Sequence, residues 1–253
     1  MIKIERQNKI LHYLNVNGSL SISKISKELK CSEETVRKDL VELERESKLI
    51  RIHGGAYIED RYDKGFSSNI RETLLKEEKM YISDIALDFV KDRNTLMLDS
   101  STTCIEFAKK ILNSKIYVTI ITNSLQIANL CDFSENAKLI LLGGKFRTRN
   151  KSFTGYHTTD ILKLYNADIS FVSYPSIDIK LGLGDNNYEE LRVRETMLKH
   201  SKVKILLMDH TKFSENASIV FSKISNINCI ITDKKINKKW EEFFKREDIN
   251  VKF

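Results

Sequence analysis

From Thr95 onward one pattern recurs. TLMLD, IYVTIIT, KLILLGG, DISFVS, VKILLMD and NCIITD are runs rich in Ile, Val and Leu, and helical segments such as CIEFAKKIL and YEELRVRETMLKH separate most of them. A strand with one wet face alternates apolar and polar residues. These runs are apolar almost throughout, so both of their faces must be covered. Helices lying between strands supply that cover and make the strands run parallel. The expectation is a larger α/β domain with a mostly parallel sheet, whose binding loops gather at the carboxyl ends of the strands.

The first 56 residues follow a different rule. Ile10, Leu11 and Leu14 form one apolar stripe at helical spacing, Ile22, Ile25 and Leu29 a second, and Val36, Leu40 and Leu43 a third. Residues 57–70, YIEDRYDKGFSSNI, lack periodicity and read as a linker. RETLLKEEKMYISDIALDFVKD then reads as one long amphipathic helix leading into the sheet. A chain of 253 residues accommodates two such domains, 1–56 and 71–253.

Within GSLSISKISKELKCSEETVRKDLVELERESKLIRIHGGA two helices meet at a tight turn around Cys31. Ser32 stands where an N-cap is needed. Glu33 and Glu34 occupy the first turn, where carboxylates suit the positive end of a helix. With Val36, Leu40 and Leu43 turned inward, Thr35, Arg37 and Lys38 lie on the other side, where a recognition helix meets the major groove. Next, LIRIHGGA alternates Ile50 and Ile52 with Arg51 and His53 before turning at Gly54-Gly55. This is the pattern of a β-wing with a basic outer face, and Arg51 is placed to reach a phosphate or the minor groove. The helix-turn-helix is expected over about residues 20–39. Ser32, Glu34, Thr35, Arg37, Lys38, Arg51 and His53 are its expected contacts to double-stranded DNA. A small helical bundle with a solvated charged face would use the same residues. The coincidence of cap, outward Arg-Lys pair and wing favours DNA. A formal charge of +7 is compatible with an anionic partner without demanding one.

A second constellation is LMLDSSTTCIEFAKKI, residues 96–111, where an apolar run ends on Asp99 and four hydroxyl residues precede a helix. Backbone N–H groups at a strand-to-helix turn point outward, and Ser100, Ser101, Thr102 and Thr103 extend the donor set, so the turn suits an anion. A threonine that only caps its own helix would read identically. A helix terminus contributes about 0.3–1 kcal/mol, whereas micromolar binding needs about 8 kcal/mol. Charge-assisted hydrogen bonds of about 1.5–3 kcal/mol each must therefore come from elsewhere. Arg147, just beyond Gly143-Gly144, and Lys212, just after a strand end, are the best-placed cations unless each is merely solvated.

The N-terminal residues resemble the DeoR family of bacterial transcriptional regulators. Ser32, Glu33, Glu34, Thr35, Val36, Arg37, Asp39 and Leu40 match its recognition helix, and Arg51, His53, Gly54, Gly55 and Ala56 match its wing. Lys38 replaces an arginine, which keeps the charge and loses the bidentate fork. The resemblance continues through Arg71, Glu78 and Lys79; Asp99, Ser100, Thr102 and Thr103; Thr122, Asn123 and Ser124; Gly143 and Gly144; Asp209, Lys212 and Phe213; and Ile231, Thr232 and Asp233. It implies a winged helix-turn-helix joined to a ribose-5-phosphate isomerase-like sensor domain. It implies too a homo-oligomer, dimer or tetramer, on a DNA operator and a small phosphorylated sugar as effector. Asp99 to Thr103, Thr122, Asn123, Gly143, Gly144, Arg147 and Lys212 are then the expected effector contacts. Two departures stand out. Ser101 replaces a glycine, which is costly if the backbone there needs positive φ. Tyr174 and Pro175 replace a small turn, where Tyr174 either fills sugar space or stacks on the sugar.

An isomerase would need a carboxylate base, for which Asp99, Asp178, Asp185 and Asp209 stand at or near strand ends, positions where aspartates also serve as turn residues. The sequence contains no metal motif, nucleophile elbow or Walker loop. A recognition helix on the same chain argues for a sensor, so no enzyme activity, cofactor or metal is expected. A sheet domain that only oligomerises remains the third reading. Four scattered cysteines, no apolar run of membrane length and charges in MIKIERQNKI lead to the expectation of a reduced, cytoplasmic protein.

Overall fold

The structure is a computed structural model and describes residues 2–17, 19–46, 48–52, 54–57, 68–132, 134–213, 220–224 and 227–253. Its contacts divide the chain into two compact units, Met1–Leu74 and Leu75–Phe253.

The first unit contains α1 (Lys3–Asn17), β1 (Ser19–Ser21), α2 (Ile22–Glu28), α3 (Glu33–Arg45), β2 (Ile50–Ile52), β3 (Gly55–Tyr57) and α4 (Ser68–Thr73). Ile10, Leu14, Ile25, Val36, Leu40 and Leu43 meet in one core, so the three stripes face each other as their spacing requires. Asp39 is buried on the same face of α3 and receives two hydrogen bonds from Arg6, at 2.5 and 3.0 Å. That bidentate pair fixes α1 against α3. The three strands form an antiparallel sheet in the order β1-β3-β2. Gly55 has no room for a side chain, because a Cβ there would lie 2.2 Å from the Leu20 carbonyl oxygen.

Two expectations change here. The helix read over 71–92 is two helices, α4 and α5 (Lys76–Leu87), broken at Leu75, whose φ of 50° is left-handed. The first of them contacts β1 in the N-terminal unit. The helix-turn-helix also extends past residue 39, because α3 continues to Arg45.

The second unit continues with β4 (Thr95–Leu98), α6 (Thr102–Leu112), β5 (Val118–Thr122), α7 (Leu125–Cys131) and β6 (Ala137–Leu141). A hairpin of β7 (Lys145–Arg147) and β8 (Ser152–Thr154) follows, then α8 (Tyr156–Leu162), β9 (Ala167–Val172), β10 (Ser176–Asp178), β11 (Gly182–Asp185) and α9 (Tyr188–Lys199). The chain ends with β12 (Ser201–Leu207), a 3-10 turn at His210–Lys212, β13 (Val220–Ser222), β14 (Cys229–Ile231), α10 (Lys238–Arg246) and β15 (Asn250–Lys252).

Seven of these strands form one parallel sheet in the order β15-β14-β12-β9-β4-β5-β6. Alternate residues of the inner strands enter different cores. Leu96, Leu98, Ile120, Phe171, Ile205, Leu207 and Ile231 pack beneath α5, α6 and α7. Met97, Ile121, Val172, Leu206 and Ile230 pack beneath α8, α9 and α10. Both cores are apolar, which is why the runs carry no polar alternation. The chain starts in the middle of the sheet, at β4, and winds outward first through β5 and β6, then the other way from β9 to β15. The reversal falls between β4 and β9, the place where open parallel sheets hold ligands.

Candidate DNA interface and effector site

In the N-terminal unit Ser32 caps α3, its Oγ accepting from the Thr35 N–H at 3.2 Å and lying 2.8 Å from the Thr35 hydroxyl. Arg37 and Lys38 are exposed and Thr35 half-buried, beside the exposed Glu34. Arg37 donates to Glu33 at 3.0 Å, and Lys38 lies 3.7 Å from Glu34. Exposed pairs one helical turn apart are worth about 0.3–0.5 kcal/mol, so a phosphate or base edge outcompetes them easily. Arg51 is exposed and bonded to α3, its N–H and Nε reaching Glu44 at 2.9 and 2.7 Å. The wing differs from its expected alternation, for Ile50 is 38% exposed beside Arg51 rather than turned inward. His53 lies outside the described residues.

In the second unit the hydroxyl loop is buried rather than open, with Ser100, Ser101, Thr102 and Thr103 all under 7% exposed. Ser101, not a threonine, is the N-cap of α6, accepting from Cys104 N–H at 3.2 Å. Its φ of −70° is extended backbone, so serine replaces glycine there without strain.

Asp99 does not face an open cleft. Its carboxylate accepts from Ser101 N–H at 3.0 Å, from Ser173 N–H at 3.2 Å and from Arg194 Nε at 2.6 Å. The Ser173 bond bridges β4 and β9 across the reversal point. Arg194 also donates to Asp185, and its NH2 lies 4.0 Å from Glu190. Glu190 accepts from Ser100 at 3.3 Å, Asn150 at 3.0 Å and Ser152 at 2.6 Å, with Arg147 Nε 3.8 Å away. Three buried carboxylates thus face two buried guanidiniums. Burial pushes the Asp99 carboxyl up, but Arg194 and Ser101 outweigh it and hold it below the usual range. For Asp185 burial wins over Arg194, and Glu190 adds to the rise.

The remaining expected residues divide between buried framework and exposed positions. Thr122 donates to the Leu98 carbonyl at 2.7 Å and accepts from Ser124 N–H, stitching β5 to β4. Asn123 donates to the Phe153 carbonyl at 2.9 Å. Gly143 and Gly144 are exposed. Glycine is required at 144, where φ is +145° and a Cβ would lie 2.1 Å from Thr158 Oγ1. Arg147 is buried, which removes the solvated alternative for it. Lys212 is also largely covered, its side chain 18% exposed, donating to Ser173 Oγ at 2.7 Å and lying 3.4 Å from Asp209. Its turn is held by Asp233, which accepts from the His210 N–H and faces the His210 ring, both at 2.6 Å.

Among the described residues Thr103 Oγ1, Asn123 Oδ1 and the Tyr174 hydroxyl are buried without a hydrogen-bond partner. Asp178 and Asp209 are turn residues, accepting from the N–H groups of Lys180 and Thr211. The groups that sequence reasoning passed over are Glu190 and Arg194, with Ser152 and Asn150. Their signal was a charged pair four residues apart in YEELRVRETMLKH, on the helix face that also carries Val193 and Met197. Among the described residues no cluster of His, Cys, Asp or Glu is arranged to hold a metal, and no helix is long and apolar enough to cross a membrane.

A helix-turn-helix with an exposed cationic face and a doubly wound parallel sheet with a polar cluster at its reversal point define a regulator with a sensor unit. The profile of the DeoR-like helix-turn-helix domain matches residues 6–61, and that of the DeoR C-terminal sensor domain matches residues 75–234. The HTH-type transcriptional regulator GolR of Listeria innocua is 32% identical over 252 residues, spanning 100% of this chain and 99% of the relative. The glycerol-3-phosphate regulon repressor of Escherichia coli is 28% identical over 239 residues, 92% of each chain. The chain is similar to ribose 5-phosphate isomerase A of Methanocaldococcus jannaschii, with 16% identity and a TM-score of 0.42 over 55% of each chain. The chain belongs to the DeoR family of DNA-binding transcriptional regulators.

Proposed function

We propose that this regulator represses a carbohydrate-metabolism operon in the cytoplasm and leaves its double-stranded operator when a small phosphorylated sugar or polyol binds the sheet unit. In this reading the unit Met1–Leu74 binds DNA, and the unit Leu75–Phe253 senses the effector and holds the homo-oligomer together. The observation that carries the reading is the company kept by Lys212. A largely covered cation stands in the 3-10 turn that follows β12, while Thr103 Oγ1 in the first turn of α6 and Asn123 Oδ1 just past β5 are buried without partners. Leaving a buried polar atom unmade costs about 1–3 kcal/mol, a cost that a polyol ligand removes. Lys212 and the first turn of α6 suit the phosphoryl group, and Thr103 and Asn123 suit hydroxyls. A relative named for a glycerol-3-phosphate regulon supports the same chemistry.

Binding without turnover is supported by the state of the aspartates. Asp99 and Asp185 are committed to Arg194, and Asp178 and Asp209 to their turns. None of them is left as an idle base. Release from DNA requires that the effector prefer the DNA-free arrangement, since equal affinity for both shifts nothing.

The experiment is a thermal-shift screen of three- to six-carbon sugar phosphates and their unphosphorylated parents, followed by operator-binding assays with each hit. Stabilisation by phosphorylated compounds, together with loss of the operator complex, is the expected result. Stabilisation without any effect on DNA, or turnover of the compound, would replace this reading.

A further inference from the structure

Tyr174 immediately follows Ser173, the residue that bridges β9 to Asp99 and receives the Lys212 hydrogen bond. It is 1% exposed, and its hydroxyl has no hydrogen-bond partner. The charged groups around it are Arg194, Asp185, Glu195 and Asp99, and the Arg194 guanidinium lies 5.7 Å from its ring. Packing alone does not explain a tyrosine here, because phenylalanine fills the same core volume without burying an unmade hydrogen bond. It also stands two residues past the end of β9, one of the two strands that flank the reversal point.

We propose that Tyr174 is a specificity residue of the effector site, its hydroxyl donating a hydrogen bond to an oxygen on the effector's carbon chain while Lys212 holds the phosphoryl end. The inference rests on the sensor reading above and deepens it, because it requires a hydroxyl or carbonyl oxygen on the ligand and not a phosphate alone. Burial pushes the phenol pKa up, so the group remains a donor at neutral pH. Asp99, Asp185 and Glu195 accept from Arg194 and Ser222, and none of them is bonded to the Tyr174 hydroxyl.

The test compares the intact protein with Tyr174→Phe by calorimetric titration and melting. The probes are glycerol-3-phosphate, ribose-5-phosphate, other three- to six-carbon sugar phosphates, propyl phosphate and inorganic phosphate. Tyr174→Phe should melt at the same temperature as the wild type or higher, because it removes a buried unmade donor. It should bind the best sugar or polyol phosphate about three- to tenfold more weakly. Propyl phosphate, which has no hydroxyl on its chain, should bind both proteins equally. Equal affinity of both proteins for every polyol phosphate that the wild type binds would overturn the role of Tyr174 and leave the sensor reading standing. Lower melting with unchanged affinity would make Tyr174 a packing residue only. Failure of the wild type to bind any phosphorylated probe would overturn the sensor reading, and this inference with it.

Discussion

Arg194 on α9 donates to Asp99 at the tip of β4, 95 residues earlier in the chain, over 2.6 Å with both side chains nearly inaccessible. The same guanidinium holds Asp185, so one cation neutralises two carboxylates that would otherwise repel each other in a dry site. Replacing a buried pair with apolar groups is often harmless, but removing one partner is not. Arg194→Gln strands both aspartates and should destabilise the sheet unit by about 3–5 kcal/mol in urea unfolding. A loss below about 1 kcal/mol would mean that water reaches the carboxylates.

The two aspartates should respond to pH in opposite directions. Asp99 is held below the usual carboxylate range. Its contribution is present above an unfolded pKa of about 3.9 and is lost as pH falls through the lower folded value. Asp185 is raised, so its contribution is present at low pH and is lost as pH rises through the folded value. Asp99→Asn should therefore cost more stability near neutrality than at about pH 3, and Asp185→Asn less near neutrality than at about pH 4. Parallel slopes in pH-dependent denaturation of the two variants would contradict this assignment.

Gly144→Ala should destabilise by more than about 2 kcal/mol, from the positive φ and the clash together. Adding Thr158→Ala should restore only part of the loss. The Thr154 carbonyl oxygen, 2.7 Å from the added Cβ, belongs to the backbone and has less freedom to retreat.

Arg37→Ala should weaken operator binding by about 1–3 kcal/mol if the guanidinium reads a base edge. Gel-shift titrations on operator and random duplex separate the roles. An equal loss on both would make Arg37 a phosphate contact.

The double variant Thr102→Ala, Lys212→Ala should no longer release its operator at effector concentrations that dissolve the wild-type complex. Induction that survives both changes would place the phosphoryl group elsewhere.

How much of this was legible in the sequence depends on the range of the interactions. The parallel sheet was readable because burial on both faces leaves uninterrupted apolar runs, and β4, β5, β9, β12 and β14 each carry one. The Ser32 cap was readable because a cap is made within three residues. The break at Leu75 was not, because a leucine in left-handed conformation leaves no mark in a pattern of apolar spacing. Nor was the partner of Asp99. The loop read as an anion cradle because its hydroxyls are local, whereas the cation that occupies Asp99 arrives from another helix. A Glu and an Arg on the apolar face of α9 were the available clue, since charges are buried only when they have something to meet.

The antiparallel strands β10, β11 and β13 are anchored to the sheet unit through α9, by Asp185 on Arg194 and by Ser222 on Glu195 at 2.7 Å. A ligand that draws the β4 tip aside has to pull on the same guanidinium that grips this small flap. Asp99 past the tip of β4 and Asp185 on β11 thus share one guanidinium, so a shift of either carboxylate is felt at the other.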